Sequence, residues 1–193
     1  MREGIAGWVL AGGESTRMGR DKALLPWGGR PVLLHLVELL ERLASPVGVV
    51  GPPERYRDLV PRVIGDLRPG LGPLAGIEAA LQASMRDWNL VVACDNPTLD
   101  ERRLRALAAR AVQSPAACVA AGSPSEPQPL CAAYHRRCLP TVREALDRGR
   151  GSVRGVLESL EVEWFGEAGA VWPAGANTPG EWEDLCEEAQ RAS

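Results

Sequence analysis

Hydrophobic positions in this chain come in short continuous blocks and in helical stripes, and seldom alternate residue by residue. Ile5–Leu10 is an apolar run that stops at Ala11 and a pair of glycines, so it predicts a buried strand. Residues 31–43 place Val32, Leu33, Leu36, Val37, Leu39, Leu40 and Leu43 at helical spacing, with Pro31 suited to the first turn. Short strands are predicted at 46–50 and 62–64. A helix entered through Pro73 follows at 74–85. Residues 90–94 form the clearest strand, ending at Asp95. A helix is predicted over 99–112 with Asp100 as its cap. Strands are then expected at 116–121 and 130–134, separated by a Pro-rich loop over 123–129. Helices at 139–146 and 153–160, a strand at Val162–Phe165 and a closing helix at 181–192 complete the pattern. Strands alternating with helices, several of the strands fully apolar, predict an α/β protein on a mainly parallel sheet.

Length changes this picture little. At about 150 residues per domain, 193 residues favour one domain over 1–193, large enough to bury a core without staples. No apolar run reaches the roughly 18 residues of a membrane span. The start of the chain is a poor signal peptide, because its apolar stretch is short and broken by glycines. Five cysteines, an odd number, suggest free thiols in a reducing compartment, and a cytoplasmic location is expected. No two have C-x-x-C spacing, so a structural zinc site is not expected. The net charge of −3 argues against nucleic acid as a partner. A monomer without membrane association is expected. The acidic final segment, with Glu181, Glu183, Asp184, Glu187 and Glu188, reads as a solvated face.

The charge does hold one oddity. Of 22 basic residues, 21 are arginine, and Lys22 is the only lysine. A bias towards arginine accounts for the rarity of lysine. It does not account for where the last one sits.

In open α/β sheets ligands bind at the carboxyl ends of the strands, so the loops there are the candidates. The loop from Leu10 to Lys22 carries Gly12, Gly13 and Gly19, the hydroxyls of Ser15 and Thr16, and the cations Arg17 and Lys22. Backbone N–H groups and positive charge together suit a phosphate cradle. The pattern is neither a Walker A loop nor G-x-G-x-x-G. Asp95 ends a central strand and offers a hard oxygen ligand of the kind Mg²⁺ prefers. The loop Gly65-Asp66-Leu-Arg-Pro-Gly-Leu-Gly72-Pro73-Leu74-Ala75-Gly76 reads equally well as a helix entry or as a base-recognition loop with a second carboxylate, Asp66. Gln128 and Asn177, each among prolines, read by themselves as turn residues.

Taken in order, L-A-G-G-x-S-x-R-M-G-x-D-K, G-P-L-A-G, C-D-x-P and N-T-P before a last helix resemble the molybdenum cofactor guanylyltransferases, within the Rossmann-like nucleotidyltransferases. The resemblance runs from Leu10 to Leu185. It implies a three-layer α/β/α sandwich. It also implies transfer of GMP from GTP to a molybdopterin-type acceptor, with Mg²⁺ and with loss of pyrophosphate. Other proteins that make or receive the cofactor are further possible partners. On this resemblance Leu10, Ala11, Gly12 and Gly13 contact the nucleotide. Lys22 holds the triphosphate, with Arg17 assisting. Asp66, Gly72 and Gly76 belong to the guanosine side, and Asp95 binds Mg²⁺. Gln128 and Asn177 are placed on the pterin side. The chain departs from the family at Val49-Val50-Gly51-Pro52-Pro53, which lacks an asparagine, and at Gly175-Ala176-Asn177, where only Asn177 carries over. Two other readings stand beside it. One is a relative using another nucleotide or acceptor, such as CTP, against which Gly13 and Leu74-Ala75-Gly76 speak. The other is a binding module without catalysis, which loss of Lys22 or Asp95 would have favoured.

Overall fold

The computed structural model describes residues 4–12, 20–166, 172 and 175–191. The strands are β1 (Ile5–Leu10), β2 (Pro26–Trp27), β3 (Arg30–Pro31), β4 (Val47–Val50), β5 (Val63–Ile64), β6 (Trp88–Ala93), β7 (Cys118–Gly122), β8 (Pro127–His135) and β9 (Val162–Phe165). The helices are α1 (Val32–Glu41), α2 (Pro53–Tyr56), α3 (Pro73–Ala83), α4 (Glu101–Gln113), α5 (Leu139–Asp147), α6 (Val153–Leu157) and α7 (Pro179–Arg191).

Seven strands form one sheet in the order β5-β4-β1-β6-β8-β7-β9, and β2 and β3 make a separate small hairpin. Within the sheet only β8 runs against its neighbours; β1 pairs in parallel with both β4 and β6. The mainly parallel sheet is therefore as the apolar blocks predict.

Side chains alternate across it. Ile5 and Val9 of β1 face a core built with α1 and α4, which Trp182 of α7 joins. Ala6 and Trp8 face the opposite core, built with α3, α5 and α6. These are the three layers of the sandwich. The Trp8 indole is fully buried and donates to Asn89 Oδ1 at 3.1 Å, so its one polar atom is satisfied. Replacing a core tryptophan of this kind by alanine costs about 4 kcal/mol. β6 is buried along its whole length, as expected of the central strand.

Several elements differ from the expectation. β8 begins at Pro127, inside the segment read as a loop, and its first residues pair with β7 alone. Proline lacks an N–H, which is tolerated where one side of the strand has no ladder to feed. The helix read as 153–160 ends at Leu157. Helix α2 and the β2–β3 hairpin were not expected. All five cysteines are free, and four are buried. Burial pushes the thiols of Cys131 and Cys138 up to about 12, so neither is a thiolate nucleophile at neutral pH. Among the described residues, no helix is long and apolar enough to cross a membrane.

Candidate active site

The carboxyl ends of β5, β4, β1 and β6 lie side by side along one edge of the sheet. Their backbones stay joined just past the strands. Ala11 N donates to Val50 O at 2.8 Å, Gly51 N to Ile64 O at 2.9 Å, and Cys94 N to Leu10 O at 3.2 Å. Leu10 itself packs on α3: a Cβ on Gly76 would come within 3.3 Å of its Cδ2. Leu10, Ala11, Gly12 and Gly76 are thus one continuous floor.

Lys22 begins a short 3-10 turn over Lys22–Leu24, which Asp21 caps by accepting from Ala23 N at 3.1 Å. The other Asp21 oxygen accepts from the buried Tyr56 hydroxyl at 2.7 Å and from Arg55 at 3.4 Å. Helix α2 therefore clamps the residue next to Lys22. The Lys22 ammonium donates to Ala176 O at 2.8 Å and to Asn177 Oδ1 at 2.9 Å. Glu181 at the start of α7 holds that loop in turn, accepting from the N–H groups of Asn177 and Thr178.

Asp95 closes the constellation. Ala176 N donates to its backbone carbonyl at 2.8 Å. Burial pushes its carboxyl above the usual carboxylate range, and the Lys22 ammonium pulls the other way. A Cβ on Gly175 would stand 2.6 Å from the Asp95 Cγ, so only glycine fits against that carboxylate. His35, from α1, makes a 3.1 Å contact with Pro97 O and ties the Asp95 loop to the α1 layer.

The remaining candidates lie on either flank. Asp66 follows β5, and its Oδ1 accepts from Arg68 N at 2.8 Å. Gly72 caps α3 with φ 76°, a conformation that favours glycine, directly before Pro73 at the first turn. Gln128 lies at the start of β8, paired with Ala121 of β7, beyond β6 on the opposite side from Asp66. Gly13 and Arg17 lie outside the described residues. The structure thus brings Lys22, Asp95 and Asn177 together, puts Asp66 and Gly72 on the β5 side, and puts Gln128 on the β8 side.

Sequence reasoning missed Gly175, Asp21 and Tyr56. Asp21 stood inside the first motif, but nothing local marks a partner 35 positions away.

Among the described residues, no group of three or more His, Cys, Asp or Glu could by itself hold a metal ion. Asp95 offers a half-buried carboxylate at this edge. That fits Mg²⁺, which takes one or two carboxylates and completes its shell with phosphates and water.

Comparison with known proteins agrees with this geometry. The family model described as MobA-like NTP transferase domain matches residues 7–163. A Synechococcus elongatus protein named as a probable molybdenum cofactor guanylyltransferase is 32% identical over 189 residues, covering 94% of this chain and 97% of that protein. The molybdenum cofactor guanylyltransferase of Pseudomonas syringae pv. tomato is 35% identical over 157 residues, covering 79% of this chain and 78% of its own length. In fold, the crystal structure of molybdopterin-guanine dinucleotide biosynthesis protein A from Archaeoglobus fulgidus superposes with a TM-score of 0.80 at 21% identity, over 96% of this chain and 99% of that one. The ordered motifs, the parallel sheet and these matches lead to one conclusion: the chain belongs to the MobA-like nucleotidyltransferases.

Proposed function

We propose that this chain is a molybdenum cofactor guanylyltransferase, transferring GMP from GTP to molybdopterin and releasing pyrophosphate. We further propose that it works as a single-domain, cytoplasmic monomer. The observation that carries the reading is the meeting of Lys22, Asp95 and the Gly175–Asn177 loop at the edge of the sheet.

An oxygen of the acceptor's terminal phosphate forms the new bond to the α-phosphorus of GTP. The bond from that phosphorus to the bridging oxygen of the leaving group breaks, and its electron pair departs with pyrophosphate. Such a reaction needs positioning and charge neutralisation more than covalent catalysis. Lys22 supplies a compact, rotatable cation, held by two oxygen acceptors where a triphosphate would arrive. The floor of Leu10, Ala11 and Gly12, with Gly13 and Arg17 of the same loop, is read as the phosphate cradle. Asp66, Gly72 and Gly76 then receive guanosine on the β5 side. The acceptor enters past Gln128 on the β8 side, so Asp95 stands between the two substrates. Asp95 would hold Mg²⁺, which when bound supplies neutralisation of charge on the phosphate oxygens. Asn177 is read as a contact shared by the acceptor and Lys22.

The test is pyrophosphate release on mixing the protein with Mg²⁺, molybdopterin and GTP, CTP or ATP in parallel. Release with GTP alone is expected. Release with CTP at an equal rate would defeat the guanine assignment, and GTP binding without release would leave only a binding module. Melting-temperature shifts with each nucleotide give an independent measure, since a ligand bound by the folded state raises it.

A further inference from the structure

Glu78 is a carboxylate in the wrong place for a simple core. It lies on α3, its side chain is 3% exposed, and it faces two guanidinium groups. Arg68 Nε lies 3.0 Å from its Oε2, and Arg143 Nε lies 3.3 Å from its Oε1. Arg143 also donates to Gln82. Arg68 reaches further, to Asp147 Oδ1 at the end of α5 at 2.6 Å. A buried ion cluster is a weak source of stability, because desolvation offsets most of the attraction and a well-packed apolar residue serves as well. Its distinctive effect is to fix geometry.

The geometry it fixes is that of the 65–72 loop. Arg68 belongs to that loop, and its own N–H donates to Asp66 Oδ1 at 2.8 Å. So the residue whose side chain is anchored on Glu78 is also the one whose backbone orients Asp66. The far end of the loop is held as well. It runs through Gly72 into Pro73, the start of the same helix, and Leu71 O presses so close on Gly151 that a Cβ there would lie 2.5 Å away. The loop is folded back over the helix it introduces and pinned to it.

We propose that Glu78 is a positioning residue for nucleotide recognition, acting through Arg68 to fix the direction of the Asp66 carboxylate. The proposal rests on the reading of the 65–72 loop as the guanosine side of the site. It makes the Arg68 arm of the cluster a specificity element and the Arg143 arm a structural one.

The two arms give the test, and both variants retain Glu78 with one guanidinium partner. Binding of GTP·Mg²⁺ and ATP·Mg²⁺ is measured by calorimetry, beside melting temperature and kcat at saturating GTP. Arg68→Met should weaken GTP binding about tenfold and narrow the preference over ATP, as misplacement of a recognition group does, with kcat little changed. Arg68→Lys keeps a cation on Glu78 without the fork and should fall between. Arg143→Met should lower the melting temperature while GTP affinity stays within about twofold, as for a substitution outside the recognition loop. Equal weakening by both Met variants overturns the proposal. So does normal GTP affinity in Arg68→Met when Asp66→Asn weakens binding, and in that case the guanosine reading survives. If Asp66→Asn leaves GTP affinity unchanged, the loop does not bind the nucleotide and both readings fail.

Discussion

The Nζ of Lys22 lies 2.9 Å from the Oδ1 of Asn177, across 155 positions of the chain. The first loop of the sheet and the last loop before α7 therefore meet at a single ammonium group. An ammonium satisfies both Asn177 and the neighbouring carbonyl as a compact point charge, whereas a guanidinium is a planar fork. Removing the cation in Lys22→Met should lower kcat by about 100-fold, the usual loss of one preorganised charge donor. Lys22→Arg should fall between wild type and Met. Steady-state kinetics with GTP decide it, and wild-type rates in Lys22→Arg would reduce Lys22 to a nearby cation.

Asp95→Asn should abolish Mg²⁺-dependent turnover and leave the fold intact. Burial raises its folded-state pKa, so its ionised form is disfavoured by folding and stability declines as pH rises through the carboxylate range. At neutral pH the neutral amide should thus melt at the same temperature as wild type or higher. A Mg²⁺ titration of rate together with thermal melting tests both halves; appreciable Mg²⁺-dependent rate in the variant would remove the metal role.

Gly175→Ala is the steric counterpart. A methyl group 2.6 Å from the Asp95 Cγ must displace the carboxylate or the loop. A shift of about 1 Å at a reacting centre costs about 100-fold in rate. Turnover should fall by that order, with far less change in unfolding free energy. Normal turnover would mean the loop moves aside freely.

Tyr56→Phe removes the hydroxyl that donates to Asp21 at 2.7 Å. Hydrogen bonds to charged groups contribute about 2 kcal/mol, so urea unfolding should show a loss of that size. The KM for GTP should rise as well, because Asp21 caps the turn that presents Lys22. A stability loss with unchanged KM would confine Tyr56 to the scaffold.

His35 gives the pH prediction. Burial lowers its folded-state pKa below the usual 6.5, so the folded protein prefers the neutral ring. Its contribution is present above pH 6.5 and is lost as pH falls from there through the lower folded value. Unfolding free energy should decline over that window, and His35→Gln should flatten the decline. His135, also lowered by burial, remains in the variant and leaves a residual slope. An unaltered slope in the variant would exclude His35 as a source.

What sequence reasoning recovered follows the range of the signals. Ile5–Leu10 and Val162–Phe165 agree with the observed strands, and Asp100 caps α4 by accepting from Arg103 N at 2.8 Å. These are local patterns. Helix α2 has four residues, little more than one turn, so it shows no periodicity. The β2–β3 hairpin has two-residue strands containing prolines, which hides the Gly28-Gly29 turn signal. The reversed direction of β8 leaves no trace in its composition. At the site, Asp95 was legible because it follows an apolar strand, and Lys22 because it is the one lysine of the chain and closes the Gly-rich loop after β1. Gly175 was not, because what marks it is a carboxylate 80 positions earlier.

The matched family segment stops at residue 163, yet the site is completed by Gly175, Ala176, Asn177 and Glu181. During synthesis, when domains fold from the N-terminal side, the whole sheet can form before these residues leave the ribosome. A nascent chain would then carry a nearly finished scaffold with Lys22 still unlatched. The two acceptors that hold the Lys22 ammonium, Ala176 O and Asn177 Oδ1, are added only after the last strand of the sheet has been made, so a chain stopped at Phe165 would present the sheet edge without the loop that closes it.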